Sequence, residues 1–485
     1  MAKRETTNQL AGHVRERLPI LTKISYSLGT SLDMWGFWLY PGVAFAVFNI
    51  YLGVNALLVG IALTTVRVWD AFTDPLAGWI SDNLRSRHGR RRPFILIFGV
   101  ISGLCLPVLF LVSPAWAGIN FLGLSVVFWY MLGSSVIYIP LMSLFTVPYN
   151  SLGPELSVDY DERTSVMTYR SVMQKIFEVG NFYALRFTNL AWFLIPGTGK
   201  QNILRGMQVY SSILGLLMAI FAVIIFFRVK ERYYDKVVTK IKKKISLKAS
   251  LWETFRVKPF RMMLGMGLSF QLGTGLVGGL GYYATVYYVC NGNTTIGNNW
   301  NFWMGISFML GGLLGAPILN RISGAIEKRS AAITACIIGI VAYAGSWFLY
   351  NPMVPWLQTI SSGMMGFASS GIWMLHSSIG ADIIDFDELK TGARREGSFT
   401  AAMSYILKFG NAWGYFITGF ILNQFGFNRS VDVQEPHTIF GIRISLALIP
   451  VIGLLFAIFF VSRMELTKRR CIEIREELEK RRGKV

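Results

Sequence analysis

The chain alternates between long apolar runs and short polar or basic connections. Backbone polar groups inside a bilayer must be satisfied within the spanning segment, so a run of about 20 apolar residues predicts a transmembrane helix. The runs lack the period of two expected of membrane β-strands; residues 217–227, for example, are continuously apolar. The pattern predicts twelve transmembrane helices, approximately over residues 21–50, 55–81, 93–113, 119–150, 164–195, 206–228, 260–290, 300–320, 330–350, 356–385, 398–425 and 437–462.

Lys and Arg residues concentrate on one side of this predicted bundle. The basic segments are residues 3–23, 85–92, 228–261 and 463–484, whereas the opposite connections 113–118, 290–300 and 351–355 contain no Lys or Arg. Basic connections resist translocation, so we expect a multi-pass protein of the inner (plasma) membrane with both termini cytoplasmic. Residues 1–17 are polar and basic, and no cleavable signal peptide is expected there.

The longest polar interruption divides the chain after six predicted helices. Residues 229–259 are predicted to form a cytoplasmic linker between two six-helix bundles, residues 1–228 and 260–462, and residues 463–485 a basic cytoplasmic tail. Two such halves are typical of secondary transporters built from repeats. The predicted fold is therefore an all-α polytopic membrane protein with twelve transmembrane helices in two pseudo-symmetric six-helix bundles.

Composition and charge agree with a membrane protein. Hydrophobic residues make up 53% of the chain and charged residues 15%, against about 25% charged in soluble domains, and the mean hydropathy is +0.45. The net charge of +20 comes mainly from Lys and Arg residues in the connections predicted to be cytoplasmic. Such a charge favours contact with anionic lipid headgroups rather than with nucleic acid. The four cysteines are scattered, which predicts neither a disulfide framework nor a zinc site.

Ionisable residues inside predicted helices cost roughly 2.5–3.5 kcal/mol each on insertion scales, so they need a partner or a polar cavity. Arg67, Asp70 and Asp74 follow one another at helical spacing on one face of the second helix. Two carboxylates this close repel each other unless a cation lies between them, which predicts a Na⁺ or proton site with hard oxygen ligands. The alternative is a structural triad in which Arg67 neutralises one Asp.

Polar residues in other predicted helices are candidates for a substrate cavity. Asp33 lies in the first helix and Arg170 in the fifth, and Lys408 in the eleventh could reach the carboxylates across the bundle. Trp373 and His376 lie three residues apart in the tenth helix, where Trp373 could stack on a sugar or pack a gate. His376 could instead be a hydrogen-bonded core residue.

Signatures of enzymes are missing from the sequence. The chain contains no His-Glu-x-x-His, Gly-x-Ser-x-Gly or Walker phosphate loop, which argues against a metalloprotease, a serine hydrolase and an ATP-driven pump. A membrane-embedded enzyme is disfavoured for the same reason. Transport would then be driven by an ion gradient or by the gradient of the substrate, and no cofactor other than Na⁺ or H⁺ as coupling ion is expected.

Two motifs carry a resemblance to a known family. DAFTDPLAGWISD at residues 70–82 with RSRHGRRRP at 85–93, and ADIIDFDE at 381–388 with REGS at 395–398, resemble the signatures of the glycoside-pentoside-hexuronide:cation symporters. That family includes the melibiose carrier and belongs to the major facilitator superfamily. The resemblance implies alternating access of two six-helix domains around a site at the middle of the membrane.

The resemblance also implies roles for individual residues. The cation site would comprise Asp70, Asp74, Thr73, Ser143 and Lys408, with Asp70 and Asp74 holding a monovalent cation. The substrate site would comprise Asp33, Thr146, Asn150, Arg170, Trp373 and His376. Independently of the resemblance, we expect gating by Arg67, Asp82, Arg85, Arg90 and Arg91. The turn at residues 85–92 would latch the cytoplasmic face with acidic partners such as Glu155.

The sequence departs from the melibiose carrier in the substrate site. Thr146 stands where that carrier has an acid that binds sugar hydroxyls, Asn150 where it has an aromatic residue, and Leu32 where it has a lysine. The loss of that acid, with Arg170, Lys408 and His376 retained, predicts a less acidic cavity. We therefore expect a sugar or glycoside substrate, with an anionic sugar such as a uronide or a sulfosugar as one possibility. Cation-dependent carriage of a lysophospholipid or another small organic anion is the alternative, and a monomer is expected to function.

Overall fold

The computed structural model of the chain describes residues 17–84, 86–157, 160–197, 201–231, 255–275, 277–392 and 396–482. Helix α1 consists of five consecutive segments, Ile20–Ser27, Gly29–Leu32, Asp33–Leu39, Tyr40–Ala44 and Phe45–Tyr51. The first half continues with α2 (Ala56–Asn83), α3 (Arg92–Cys105), α4 (Val126–Glu155), α5 (Tyr160–Phe187) and α6 (Ile203–Arg228).

The second half repeats this arrangement and ends in a further helix. It contains α7 (Lys258–Thr274, continued by Val277–Tyr283 and Ala284–Val289), α8 (Thr294–Ile326), α9 (Lys328–Leu349), α10 (Leu357–Thr391), α11 (Glu396–Gln424) and α12 (Pro436–Ser462). Helix α13 (Lys468–Arg482) follows, and its Lys468 donates a hydrogen bond to the Gly324 carbonyl at the end of α8. The twelve predicted spans are each represented by one helix, α1–α12.

Several helix boundaries differ from those predicted. Helix α4 begins at Val126 instead of residue 119, because residues 119–125 contain a short hairpin of β1 (Asn120–Phe121) and β2 (Leu124–Ser125). The Ser125 hydroxyl then accepts a hydrogen bond from the Val127 N–H and caps the helix. Apolarity alone did not reveal this hairpin, since its Phe121, Leu122 and Leu124 continue the hydrophobic run into the helix that follows.

Eight helices in the described part of the chain are long and apolar enough to cross a membrane by composition alone: α2, α3, α4, α6, α7, α8, α9 and α12. The other four are α1, which is divided into short segments, and the more polar α5, α10 and α11. These four helices carry Asp33, Arg170, Trp373 and Lys408. The lower apolarity of α5, α10 and α11 therefore coincides with predicted site residues, as expected of helices that line a polar cavity.

The two halves meet at the end of the bundle that the charge pattern predicts to be external, which we call the outer end. There the Tyr283 hydroxyl of α7 donates a hydrogen bond to Asn49 Oδ1 of α1, and the Asn298 amide of α8 donates to Asn189 Oδ1 just beyond α5. Both bonds join one half to the other. They hold the halves together at the outer end.

Helices α2 and α11 approach each other closely beside this contact. The Thr64 hydroxyl donates a 2.8 Å hydrogen bond to the Ala412 carbonyl. A Cβ atom at Gly60 would lie 2.6 Å from the Tyr415 carbonyl oxygen, and one at Gly419 would lie 2.4 Å from the Ala56 carbonyl oxygen. Only residues without a side chain allow the two backbones to come this close.

Helices α1 and α7, which begin the two halves, both change to π-helix at the outer end. The π segments are Phe45–Tyr51 in α1 and Ala284–Val289 in α7, and α1 has another at Asp33–Leu39. A π segment widens the turn locally and is frequent at functional sites. The segment Asp33–Leu39 begins at a residue predicted to bind substrate.

Candidate functional site

Three charged side chains from opposite halves meet near the middle of the bundle. Lys408 Nζ of α11 lies 2.9 Å from Asp70 Oδ2 and 2.5 Å from Asp74 Oδ2, both on α2. The Asp70 side chain is only 2% exposed, whereas Lys408 and Asp74 are 25% and 30% exposed. The ammonium group therefore bridges two carboxylates that would otherwise repel each other.

Hydroxyl groups surround the same carboxylates. Ser143 Oγ of α4 donates a hydrogen bond to Asp70 Oδ1 at 3.4 Å and lies 2.9 Å from Thr73 Oγ1. Asp74 Oδ1 is buried and has no hydrogen-bond partner. These oxygens are the type of ligand that a hard monovalent cation uses. Lys408 is positively charged, so it competes with such a cation and cannot ligate it.

Metal binding of another kind finds no support in the described residues. They contain no group of three or more His, Cys, Asp or Glu side chains placed to hold a metal ion.

Arg67 lies beside this cluster. Its guanidinium is 3.9 Å from Asp70 Oδ2, donates a 3.0 Å hydrogen bond to the Phe37 carbonyl and stacks 5.0 Å from the centre of the Trp38 ring. The structural triad weighed from sequence is thus present in part. Arg67 lies within α2, away from the basic turn, and its role in a gate stays a prediction.

A second polar cluster joins α1, α4 and α5. The Arg170 guanidinium lies 4.0 Å from Asp33 Oδ2, donates a hydrogen bond to Asn150 Oδ1 and stacks on the Tyr149 ring at 5.4 Å. Thr146 lies one helical turn before Asn150 on α4. The buried atoms Arg170 Nε and Thr146 Oγ1 have no hydrogen-bond partner. Since unsatisfied buried polar groups are costly, they are suited to bind a polar ligand.

Trp373 and His376 are placed in a different environment. His376 is 1% exposed, and its Nε2 lies 3.2 Å from the Met263 carbonyl oxygen of α7. The Trp373 ring packs edge-to-face on His376 and on Phe270. These contacts correspond to the core role considered for His376. No described contact brings either residue to the Asp33–Arg170 cluster.

The basic turn between α2 and α3 forms ion pairs with α4. Arg90 and Arg91 pair with Glu155 of α4 at 3.2 and 2.9 Å. Asp82 lies in the last turn of α2, but its side chain, like the whole of Arg85, lies outside the described residues. Glu155 is one of the acidic partners expected from the sequence, and the role of this turn as a gate stays a prediction.

Sequence reasoning missed Glu231, which completes this turn. Its carboxylate accepts hydrogen bonds from the backbone N–H groups of Arg90, Arg91 and Arg92, at the start of α3, at 2.9, 2.7 and 3.0 Å. An anion at a helix N-terminus satisfies free N–H groups and interacts favourably with the helix dipole. No sequence signal indicated this role, because Glu231 lies in the predicted linker, far from α3 along the chain.

The chain is similar to known transport proteins over most of its length. The model of the family described as MFS/sugar transport protein matches residues 32–468. A protein named glucuronide carrier protein homolog, from Escherichia coli K12, is 27% identical over 476 residues, which cover 96% of this chain and 97% of that protein. The isoprimeverose transporter of Lactiplantibacillus pentosus is 26% identical over 453 residues, covering 90% and 87%.

A solved structure confirms the fold. The crystal structure of a D-xylose-proton symporter superposes with a TM-score of 0.64 at 14% identity, covering 92% of this chain and 98% of that one. At this identity the likeness concerns the arrangement of the helices. The predicted major facilitator architecture of two six-helix bundles is confirmed.

Proposed function

We propose that this chain, which belongs to the MFS/sugar transport protein family and is a membrane transporter rather than an enzyme, carries a sugar or glycoside together with Na⁺ or H⁺. The observation that carries the coupling part of the proposal is the bridge from Lys408 to Asp70 and Asp74. It joins the two halves at oxygens suited to a cation. Relatives named as sugar carriers support a sugar over a lysophospholipid.

In the proposed mechanism the coupling cation replaces the Lys408 ammonium. The bound cation supplies the positive charge between Asp70 and Asp74 that the ammonium supplied before, and Lys408 is released, which loosens the attachment of α11 to α2 at this level. The Asp33–Arg170 cluster, one helix away, then binds substrate more tightly. By thermodynamic linkage the substrate raises the affinity for the cation by the same factor.

The substrate would bind to the first half through Asp33, Thr146, Asn150 and Arg170. Arg170 presents an unpaired Nε to the ligand, and a guanidinium binds carboxylate or sulfonate oxygens in a bidentate manner. An anionic sugar, such as a uronide, fits this donor. The similarity to a protein named glucuronide carrier homolog supports the same choice.

The proposal also assigns the moving parts. Residues 1–228 and 260–462 would rock about the midplane site, with residues 229–259 as the cytoplasmic linker and 463–485 as the tail. The closed outer end would open as the opposite end closes. The protein would function as a monomer in the inner membrane. Both of its termini would face the cytoplasm.

The test uses purified protein in detergent and in liposomes. Neutral, uronic and sulfonated glycosides are titrated with and without Na⁺ and across pH. Binding of one glycoside that strengthens with Na⁺ or with protons supports the proposal and identifies the substrate class. Cation-dependent binding of lysolipids or small organic anions, with no binding of any glycoside, overturns the sugar assignment.

A further inference from the structure

A cavity between the two halves lies beyond the charged cluster, toward the outer end. It has a volume of about 240 Å³ and is formed by α1, α7 and α11. Aromatic rings of Trp38, Phe45, Tyr282 and Tyr415 line it, together with the Asn411 amide and the backbone of three glycines. None of its lining residues is charged, in contrast to the neighbouring site at Asp33, Arg170 and Lys408.

The polar and aromatic walls of this cavity are held in place by contacts behind them. Arg67 stacks on Trp38, whose side chain is still 40% exposed. The Gln271 side chain of α7 donates a 2.6 Å hydrogen bond to Asn411 Oδ1, which leaves the Asn411 NH₂ group available to a ligand. A preorganised ring beside a free amide donor is suited to a ligand with an apolar face and hydroxyl edges.

The cavity shares two helices, α1 and α11, with the charged residues of the proposed sites. Trp38 follows Asp33 by five residues, within the π segment Asp33–Leu39 of α1. Asn411 follows Lys408 by three residues, about one turn of α11. A substrate bound at Asp33 and Arg170 that extends toward the outer end therefore meets Trp38 and Asn411.

We propose that this cavity binds the uncharged second ring of a glycoside, either a sugar or an aryl aglycone, and thereby makes the protein select glycosides over the matching free sugars. The inference rests on the proposed function and adds to it a second subsite. Trp38 stacks on the ring, and Asn411 donates a hydrogen bond to a hydroxyl or ether oxygen.

Gly42 offers a way to close this subsite without removing a contact. A Cβ atom at Gly42 would meet no atom within 4 Å, so the wall of the cavity is open there. The substitution Gly42→Leu would place a side chain in the space assigned to the second ring. It leaves Trp38, Arg67 and the charged cluster unchanged.

The experiment compares paired ligands on matched variants. Purified Trp38→Leu, Trp38→Phe and Gly42→Leu are titrated with a p-nitrophenyl glycoside and with the corresponding free sugar, using the pair that the wild-type protein binds. Trp413→Leu and Gly133→Leu are the controls, because Trp413 is 41% exposed on α11 outside the cavity lining and a Cβ at Gly133 also meets no atom. Cation-dependent thermal stabilisation is measured on every variant to verify folding.

We expect Trp38→Leu and Gly42→Leu to bind the glycoside about tenfold more weakly, while their affinity for the free sugar changes less than about twofold. Trp38→Phe should retain most of the glycoside affinity, and the controls should match the wild type. If Trp38→Leu and Gly42→Leu lose affinity equally for both ligands, or for neither, the inference is overturned. The proposed function still stands in that case, because the wild-type protein binds the sugar. Failure of the wild-type protein to bind any sugar overturns both.

Discussion

Lys408 on α11 lies 2.9 Å from Asp70 on α2, so a cation of the second half is paired with an almost fully buried anion of the first. Burying one charge without its partner is strongly unfavourable. In the proposed mechanism the two carboxylates hold either the Lys408 ammonium or the coupling cation. The exchange between them would change how the halves are joined.

Replacing Lys408 with Ala removes the internal competitor. We expect the affinity for the coupling cation to rise by roughly tenfold, because the carboxylates retain their charge and lose the ammonium. Uphill uptake should be lost, since the empty carrier can no longer neutralise its carboxylates before it reorients. The measurements are cation-dependent thermal stabilisation and uptake into liposomes.

The control for this variant is Lys175→Ala. Lys175 and its ion-pair partner Glu178, 2.7 Å away, both lie on α5, so the change removes a lysine outside the charged cluster. It should leave cation affinity unchanged. An unaltered cation affinity in Lys408→Ala would show that the ammonium and the coupling ion do not compete.

Asp74 provides a separate test of coupling. Asp74→Cys removes the carboxylate whose Oδ1 has no partner, and Asp70 remains paired with Lys408. We expect uphill accumulation to be abolished while some exchange or substrate binding remains. Ser143→Ala, which removes one neutral ligand, should weaken cation binding only severalfold. Full gradient-driven uptake by Asp74→Cys would contradict the model.

Arg170 should determine the preference for the charge of the substrate. In Arg170→Gln we expect the affinity for a uronide to fall by about tenfold or more, because a hydrogen bond to a charged donor contributes roughly 1.5–3 kcal/mol. The affinity for the neutral analogue should fall less. Competition binding with both ligands measures the difference, and Arg205→Gln at an exposed position of α6 is the control. Equal losses for both ligands would argue against an anionic substrate.

Gly60 should control closure of the outer end. The side chain of Gly60→Leu would collide with the Tyr415 carbonyl, 2.6 Å from the Cβ position, so α2 and α11 could not meet. We expect the carrier to remain open at the outer end, with transport lost and substrate binding retained. Reactivity of a cysteine placed at Asn49 toward an impermeant thiol reagent reports the opening. Gly133→Leu should behave as the wild type, and transport by Gly60→Leu would refute the close-approach argument.

Glu231 should stabilise the first half without taking part in transport. Glu231→Ala removes the acceptor of three backbone N–H groups at the start of α3, and we expect a loss of about 1–3 kcal/mol in the free energy of unfolding. Thermal unfolding in detergent measures the loss. Glu435→Ala is the matched control, because exposed Glu435 precedes α12 without a side-chain cap bond. A stable Glu231→Ala protein would mean that water replaces the carboxylate.

Much of the site was predictable, residue by residue. Asp70, Asp74 and Lys408 were identified because charges within apolar helices require partners, and the structure brings them together. Arg170 and Asp33 likewise meet. His376 could not be placed from sequence, since the face of α10 that meets α7 depends on packing such as that of Gly267 against its ring. The cavity at Trp38 was missed for a similar reason: its walls come from three helices.

The sequence by itself determined the number and order of the helices and carried the charge pattern that predicts their orientation. A backbone in a bilayer must satisfy its own hydrogen bonds, which favours helices, and the apolar length of a helix is a local property of the sequence. Only the tertiary structure decided which polar groups meet. Asp74 and Lys408 are 334 residues apart, and their contact depends on the rotation of α2 and α11 about their axes. Close packing at Gly60 and Gly419 sets that rotation, and it is a property of both helices together.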